Sequence, residues 1–236
     1  MFGGIIKAIL VILAAIPLTF GALFGIPFQK NGEITHAMAR TWSRLILWIY
    51  GIRVHIRGGE NIEPGKNYVY AANHASMFDI PTVIGSIPDQ IRLVLKKELT
   101  RIPFWGWALK YGGYVSIDRS NPIAAQKSLE AATEKIRSGT SVLVFAEGTR
   151  TRDGKLQAFK RGAFALAARS GIPVLPVTIN NSFRILPKGS LRVQPQDIEL
   201  IIDKAIPTKG IDGKDAELKL MEQVRAVVAK HFVEQT

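Results

Sequence analysis

The chain has no cysteine among its 236 residues. Disulfide bonds are therefore excluded, and so is a thiol nucleophile. Any covalent route that passes through an acyl-cysteine intermediate is closed to this chain.

Acidic residues are also scarce. Lys and Arg total 31 against 19 Asp and Glu, which gives a formal net charge of +12. A basic excess of this size points to nucleic acid, an anionic membrane surface or a phosphorylated substrate as the partner. Because 47% of the residues are hydrophobic, the composition favours a membrane over nucleic acid.

Charge is missing altogether from residues 8–28. Roughly 20 apolar residues cross a hydrocarbon core about 30 Å thick, so this run is long enough to do so. Pro17, Gly21 and Gly25 are points at which a helix here would kink or loosen. The run has neither the short apolar core nor the small-residue cleavage site of a signal peptide, and we expect a retained anchor.

Residues 33–56 carry tryptophans at helical spacing among arginines. Trp42 and Trp48 stand near Arg40 and Arg44. This pattern suits a helix lying in the headgroup layer, and it equally suits a surface helix packed on its own domain.

Two domains follow from these segments. We expect residues 1–50 to form a membrane-anchoring helical hairpin and residues 51–236 to form an α/β domain. The basic residues after the uncharged run favour the cytoplasmic face of the cell (inner) membrane for the second domain.

From about residue 52 onward, short apolar and often β-branched runs alternate with helix-like stretches. The runs predict strands at residues 67–72, 91–95, 114–117, 141–145 and 174–179. The stretches predict helices at residues 121–137, 162–170 and 215–232. Such alternation predicts an α/β fold with a mixed, mostly parallel sheet covered by helices and preceded by the N-terminal helix pair.

A histidine and an aspartate follow the first predicted strand, in the segment NHASMFD at residues 73–79. The imidazole of His74 can take a proton from a hydroxyl. A carboxylate such as that of Asp79 can fix the ring's tautomer and stabilise the imidazolium that forms. Alone, the pair is weak evidence, because a histidine near an aspartate is more often structural.

Three further segments follow in order: GYVSIDR at residues 113–119, FAEGTRT at 145–151 and IPVLPV at 172–177. Together with NHASMFD they resemble the four signature blocks of the glycerolipid acyltransferase family, whose best-known members are the 1-acyl-sn-glycerol-3-phosphate acyltransferases (PlsC type). The chain departs from the usual third block only by Ala146 in place of a proline and Thr151 in place of a serine. Four blocks in the expected order are far more specific than any one of them.

The resemblance implies an enzyme that moves a fatty acyl group from acyl-CoA or acyl carrier protein to the sn-2 hydroxyl of lysophosphatidic acid, giving phosphatidic acid. The reaction would be a single displacement, with His74 as the general base and Asp79 as its orienting carboxylate. The resemblance also implies that Arg119 and Arg150 bind the phosphate. No metal and no cofactor is implied, and His36, His55 and His231 are scattered without ligand spacing.

Other residues of the blocks are candidates for substrate binding. Glu147, with Gly148 and Thr149 after it, is expected to hold the glycerol hydroxyl, to brace an arginine or to form a salt bridge within the turn. Lys96 is a further phosphate candidate, whereas Lys97 is expected to be solvated because adjacent strand residues face opposite ways.

Two smaller expectations concern the chemistry around the base. Ser76 is a candidate turn-capping residue, and an acyl-enzyme nucleophile is the alternative. Backbone N–H groups near the first block, or at Gly112 and Gly113, are candidates to stabilise the oxyanion.

Alternative functions stay open. The acceptor of the same reaction can be glycerol 3-phosphate or another lysolipid. A non-enzymatic basic protein that binds anionic lipid explains the composition but not the four ordered blocks. A nucleic-acid binder explains the charge, yet the sequence shows no recognisable reading motif.

Overall fold

The computed structural model describes residues 2–118 and 121–234. Eight α-helices lie in this part of the chain: α1 (Phe2–Gly25), α2 (Glu33–Tyr50), α3 (Asp79–Ser86), α4 (Trp105–Tyr111), α5 (Pro122–Arg137), α6 (Arg161–Ser170), α7 (Ser182–Ile185) and α8 (Lys214–His231). Seven strands accompany them: β1 (Val54–Arg57), β2 (Val69–Ala72), β3 (Ile91–Lys96), β4 (Val115–Ile117), β5 (Ser141–Phe145), β6 (Val174–Asn180) and β7 (Ile198–Ile202). Short 3₁₀ turns occupy Ile26–Phe28, Gly59–Asn61 and Lys97–Arg101.

The strands form one sheet in the order β1-β7-β6-β2-β5-β3-β4. Every neighbouring pair is parallel except β6 and β7, which run antiparallel. The five predicted strands are confirmed as β2 to β6, and the mostly parallel sheet is confirmed as well. The edge strand β1 and its neighbour β7 are not predicted by the sequence.

Helices cover both faces of the sheet, because successive side chains of a strand point to opposite faces. On β2, Tyr70 and Ala72 join a buried cluster with α2 and α3. Val69 and Ala71 join a second cluster with α5, α6 and α8 on the opposite face. The domain is thus a three-layer sandwich with a separate apolar core on each side of the sheet.

The helix α2 packs on the α/β domain. Ile46, Leu47 and Tyr50 near its end are buried in the same cluster as the central strands, whereas Trp48 exposes 77% of its surface. The helix ends at Gly51 in the left-handed conformation, short of the predicted end at residue 56. The boundary placed after residue 50 stays a prediction, but it does not divide two independent cores.

The helix α1 leans on α2 and leaves most of its apolar surface open. Trp42 of α2 donates its indole N–H to the Val11 carbonyl over 3.2 Å. Among the described residues, Gly3–Phe28 is the one helical segment long and apolar enough to cross a membrane, and only 11% of an 18-residue stretch within it is buried. Such an exposed apolar helix is consistent with membrane association, as the uncharged run predicts.

The helix α2 carries a buried histidine, His36. His36 is 3% exposed, and neither of its ring nitrogens has a hydrogen-bond partner within the described ranges. Burial lowers the pKa of His36 to about 3, and the nearby charges of Arg92 and Arg40 add to the effect. The folded chain therefore holds this imidazole neutral.

A His36→Leu variant should lose part of the acid sensitivity of the wild-type chain. Between about pH 6.5 and pH 3 the unfolded chain binds a proton at His36 that the folded chain does not, so stability falls as the pH is lowered. The free energy of unfolding should depend less steeply on pH in the variant, by up to about 1.4 kcal/mol per pH unit. Urea unfolding in detergent from pH 4 to pH 7 measures the difference, and equal slopes would contradict a neutral buried His36.

Candidate active site

The site lies where two neighbouring parallel strands end. Ala72 of β2 pairs with Phe145 of β5 in register, so the residues that follow each strand emerge side by side. His74 comes two residues after β2, and Glu147 comes two residues after β5. Ligands of open α/β sheets bind at this carboxyl edge.

His74 and Asp79 form a close pair. The His74 Nδ1 atom lies 2.7 Å from Asp79 Oδ2, with the Asp79 side chain fully buried and the imidazole 13% exposed. The same oxygen accepts the backbone N–H groups of Ala75 and Ser76 over 2.7 and 2.8 Å. Since Asp79 opens α3, the helix dipole also favours its negative charge.

The contact with Asp79 fixes which nitrogen of the His74 imidazole carries the proton. A carboxylate accepts hydrogen bonds, so the proton of a neutral His74 lies on Nδ1. The Nε2 atom is then the basic nitrogen, and the partial exposure of the ring leaves it open to a substrate. The geometry is that of a general base with an orienting carboxylate.

Three contacts on other elements hold His74 in place. Its ring stacks on Phe145 with 3.8 Å between centroids. Its backbone N–H donates to Glu147 Oε1 over 2.6 Å, and its carbonyl accepts the Thr151 N–H over 2.9 Å. The first block is thereby fastened to the third.

The Glu147 carboxylate accepts hydrogen bonds from two backbone N–H groups of the protein. It is 2% exposed, and its second oxygen, Oε2, accepts the Gln157 N–H over 3.0 Å. Burial raises the pKa of Glu147, and the N–H groups of His74 and Gln157 oppose that rise. Within residues 2–118 and 121–234, Glu147 forms neither the arginine brace nor the salt bridge expected from the sequence, and its carboxylate braces the backbone of His74.

The residues after Glu147 form a turn beside two lysines. Gly148 has φ +72°, and a Cβ placed on it would lie 2.9 Å from Cδ of Lys160. The Lys188 ammonium donates to Thr149 Oγ1 over 2.9 Å and approaches the Arg150 carbonyl at 3.4 Å. Lys188 therefore adds a positive charge to the corner where Thr149 and Arg150 lie.

The two basic candidates at the end of β3, Lys96 and Lys97, differ in their contacts. Lys96 ends β3 at the same edge of the sheet and is exposed. Lys97, expected to be solvated, is exposed and also pairs with Asp118 over 2.9 Å. Alternation of faces does not account for its exposure, because Lys97 begins a 3₁₀ turn and no longer belongs to the strand. Arg119 lies outside the described residues.

Ser76 is placed as a turn residue. Its Oγ accepts the Phe78 N–H over 3.3 Å and donates to the Leu186 carbonyl over 3.2 Å. Ser76 is fully buried, so the structure supports the capping interpretation over the nucleophile.

Gly112 and Gly113 precede β4 and lie at the opposite, amino edge of the sheet, where Gly112 packs against Thr35. They are therefore too far along the strand to serve as oxyanion donors.

Two contributors are missed by the sequence reasoning. The side chain of Asn73 bridges to β6, donating to the Ile179 carbonyl over 3.0 Å and accepting the Ile179 N–H over 2.7 Å. Its place directly before His74 is the only signal for it. Lys188 belongs to none of the four blocks, and its contact with Thr149 depends on tertiary structure alone.

The family model described as Acyltransferase matches residues 53–180, more than half of the chain. The chain belongs to the acyltransferase family. The match confirms the family that the four ordered blocks predict.

Curated relatives of this acyltransferase carry a common description. A 1-acyl-sn-glycerol-3-phosphate acyltransferase of Pseudomonas aeruginosa is 35% identical over 214 residues, which cover 89% of this chain and 80% of that protein. Chloroplast proteins of the same description from Brassica napus and Arabidopsis thaliana are 32% and 33% identical over 98% and 96% of this chain. The acyltransferase spans only 64% and 61% of the lengths of these two plant relatives.

A solved structure matches the acyltransferase along nearly its whole length. The crystal structure of the 1-acyl-sn-glycerophosphate (LPA) acyltransferase PlsC from Thermotoga maritima superimposes with a TM-score of 0.74 at 26% sequence identity. The match covers 95% of this chain and 96% of the other. The α/β fold with its N-terminal helices is therefore the fold of that acyltransferase.

Proposed function

We propose that this chain transfers a fatty acyl group from a thioester donor to the sn-2 hydroxyl of lysophosphatidic acid, giving phosphatidic acid. The observation that carries the proposal is the His74–Asp79 pair at the carboxyl edge of the sheet, with Nδ1 and Oδ2 2.7 Å apart. The descriptions of the relatives support the choice of acceptor.

The proposed chemistry is a single displacement. His74 Nε2 takes the proton of the sn-2 hydroxyl while the hydroxyl oxygen attacks the carbonyl carbon of the thioester. The carbon–sulfur bond then breaks, and His74 passes the proton to the departing thiolate, which leaves as the free thiol. Asp79 keeps the ring oriented and stabilises the imidazolium between these steps.

The turn after β5 supplies groups suited to a phosphomonoester. Arg150 offers a planar fork of N–H donors and Lys188 a point charge. Thr149 directly precedes Arg150 and accepts a hydrogen bond from the Lys188 ammonium. We assign the acceptor phosphate to this corner, with Lys96 and Arg119 as further candidates from the sequence. Glu147 and Gly148 stay candidates for substrate binding as well as shaping the turn.

The proposed donor is acyl-CoA or acyl carrier protein. Both are anionic, and both suit a chain with a net charge of +12. An apolar cavity between α1, α2, α3 and α4, bordered by Ile80 next to Asp79, offers room for part of an acyl tail. The proposed location is the cell (inner) membrane, with the α/β domain on the cytoplasmic face.

One assay tests the proposal against its alternatives. Purified protein in detergent receives labelled acyl-CoA or labelled acyl carrier protein, together with lysophosphatidic acid, glycerol 3-phosphate or lysophosphatidylcholine. We expect phosphatidic acid from the first acceptor and little product from the other two. Preferred use of glycerol 3-phosphate or lysophosphatidylcholine would overturn the acceptor, and no product with any acceptor would favour a lipid-binding protein.

A further inference from the structure

Five large apolar side chains are exposed between residues 99 and 111. They lie in the 3₁₀ turn Lys97–Arg101, in α4 and in the link between them, and they are called the α4 patch here: Leu99, Ile102, Phe104, Trp107 and Tyr111. Each exposes between 38% and 59% of its surface. Single exposed apolar residues are normal, but a cluster of this density marks an interaction surface.

The backbone is strained in the middle of the α4 patch. Phe104 has a positive φ of +59°, which residues other than glycine rarely adopt. Phe104 still exposes 49% of its surface, so the strained backbone does not serve to bury it within the chain. Strain of this kind persists where a residue has a role outside the core.

The α4 patch continues the exposed apolar surface of α1. The Phe104 ring lies 5.5 Å from Phe20 of α1 and 5.2 Å from Trp107 of α4. Phe20 itself exposes 53% of its surface, and Phe24, one turn further along α1, exposes 78%. Whatever covers this side of α1 therefore covers the α4 patch as well.

The charges around the α4 patch are mostly positive. Residues 96–111 contain four basic side chains, Lys96, Lys97, Arg101 and Lys110, against the single acid Glu98. The Lys110 ammonium lies 5.1 Å from the centre of the Tyr111 ring. Tryptophan and tyrosine among basic residues are the composition of the membrane–water interface, and basic side chains there attract anionic lipid.

We propose that the α4 patch lies in the headgroup layer of an anionic bilayer, beside α1. Lys96 ends β3 at the carboxyl edge of the sheet and leads directly into the patch. Docking through the patch thus brings the edge that carries His74 to the membrane surface, where a lipid acceptor lies. The chain then has a second point of membrane contact besides its N-terminal helix, and this contact orients the site.

Fluorescent labels on single cysteines test the proposal, since the chain has no native cysteine. Tyr111→Cys reports on the α4 patch, Phe20→Cys on α1, and Ile56→Cys is the control. Ile56 is an exposed apolar residue, 41% open, on β1 at the far edge of the sheet. Full-length protein is reconstituted into vesicles of phosphatidylcholine with phosphatidylglycerol.

We expect the labels at positions 111 and 20 to shift to the blue and to be quenched by spin-labelled lipid, while the label at position 56 is quenched by aqueous iodide. A label at position 111 as open to iodide as the one at position 56 would overturn the proposal. Protection from iodide without quenching by spin-labelled lipid would also overturn it, because it would assign the patch to a second copy of the chain.

A second experiment rests on the proposed function. The double variant Trp107→Ser, Tyr111→Ser should lose activity several-fold on acceptor held in vesicles and keep wild-type activity on acceptor in detergent micelles. The matched control Ile56→Ser should be unaffected in both. An equal loss in vesicles and micelles would contradict a docking role, whereas no activity of the wild-type chain in micelles would refute the proposed function and leave the labelling result standing.

Discussion

A His74→Ala variant should transfer acyl groups at least about 10³-fold more slowly than the wild-type chain. The variant lacks the imidazole that takes the hydroxyl proton in the proposed mechanism, and general acid–base catalysis contributes about 10²- to 10⁴-fold. The backbone contacts of residue 74 with Glu147 and Thr151 do not involve the side chain, so the fold should survive. Steady-state kinetics with thermal melting of the same samples measure both effects.

His55→Ala is the matched control. His55 lies on the edge strand β1, where its exposed ring contacts Asp197 over 3.1 Å. Loss of that ring should leave the transfer rate unchanged. Transfer by His74→Ala at the wild-type rate, from a protein that melts normally, would exclude the proposed mechanism.

The central strands are predictable because of their burial. β2 and β6 are buried along their whole length, and strands covered on both faces read as continuous apolar runs. The edge strand β1 gives no such signal, because it is mostly exposed and its Arg57 pairs with Glu199 of β7. Its four residues, VHIR, alternate apolar and polar side chains, so β1 lacks the continuous apolar run that marks the central strands.

The candidate site likewise contains some residues that are close in sequence and some contacts that join residues far apart in sequence. His74 and Asp79 are five residues apart at a strand-to-helix turn, so one local pattern predicts both. The brace from Glu147 to the His74 backbone joins residues 73 positions apart, and Lys188 reaches Thr149 across 39 positions. Such contacts follow from the packing of β2, β5 and α7, which no local spacing encodes.

An Asp79→Asn variant should lose about 10²-fold or more of the transfer rate. Asparagine can keep one oxygen facing the three donors that meet at Oδ2, from His74, Ala75 and Ser76. It carries no negative charge to stabilise the imidazolium that forms in the transition state. The loss should appear in kcat, with KM for acceptor and donor little changed, because Asp79 is fully buried and acts through the His74 ring.

The free energy of unfolding should fall by about 1–3 kcal/mol in this variant. The new amide NH₂ replaces Oδ1, which has no hydrogen-bond partner within the described ranges, and leaving a buried donor unpaired costs about 1–3 kcal/mol. Asp89→Asn makes the same chemical change at the amino edge of the sheet, where Asp89 accepts the Tyr70 hydroxyl over 2.8 Å. It should lower the free energy of unfolding without changing kcat. Equal kcat values for Asp79→Asn and Asp89→Asn would reduce Asp79 to a structural residue, because Asp79 contacts the His74 imidazole and Asp89 accepts from Tyr70 instead.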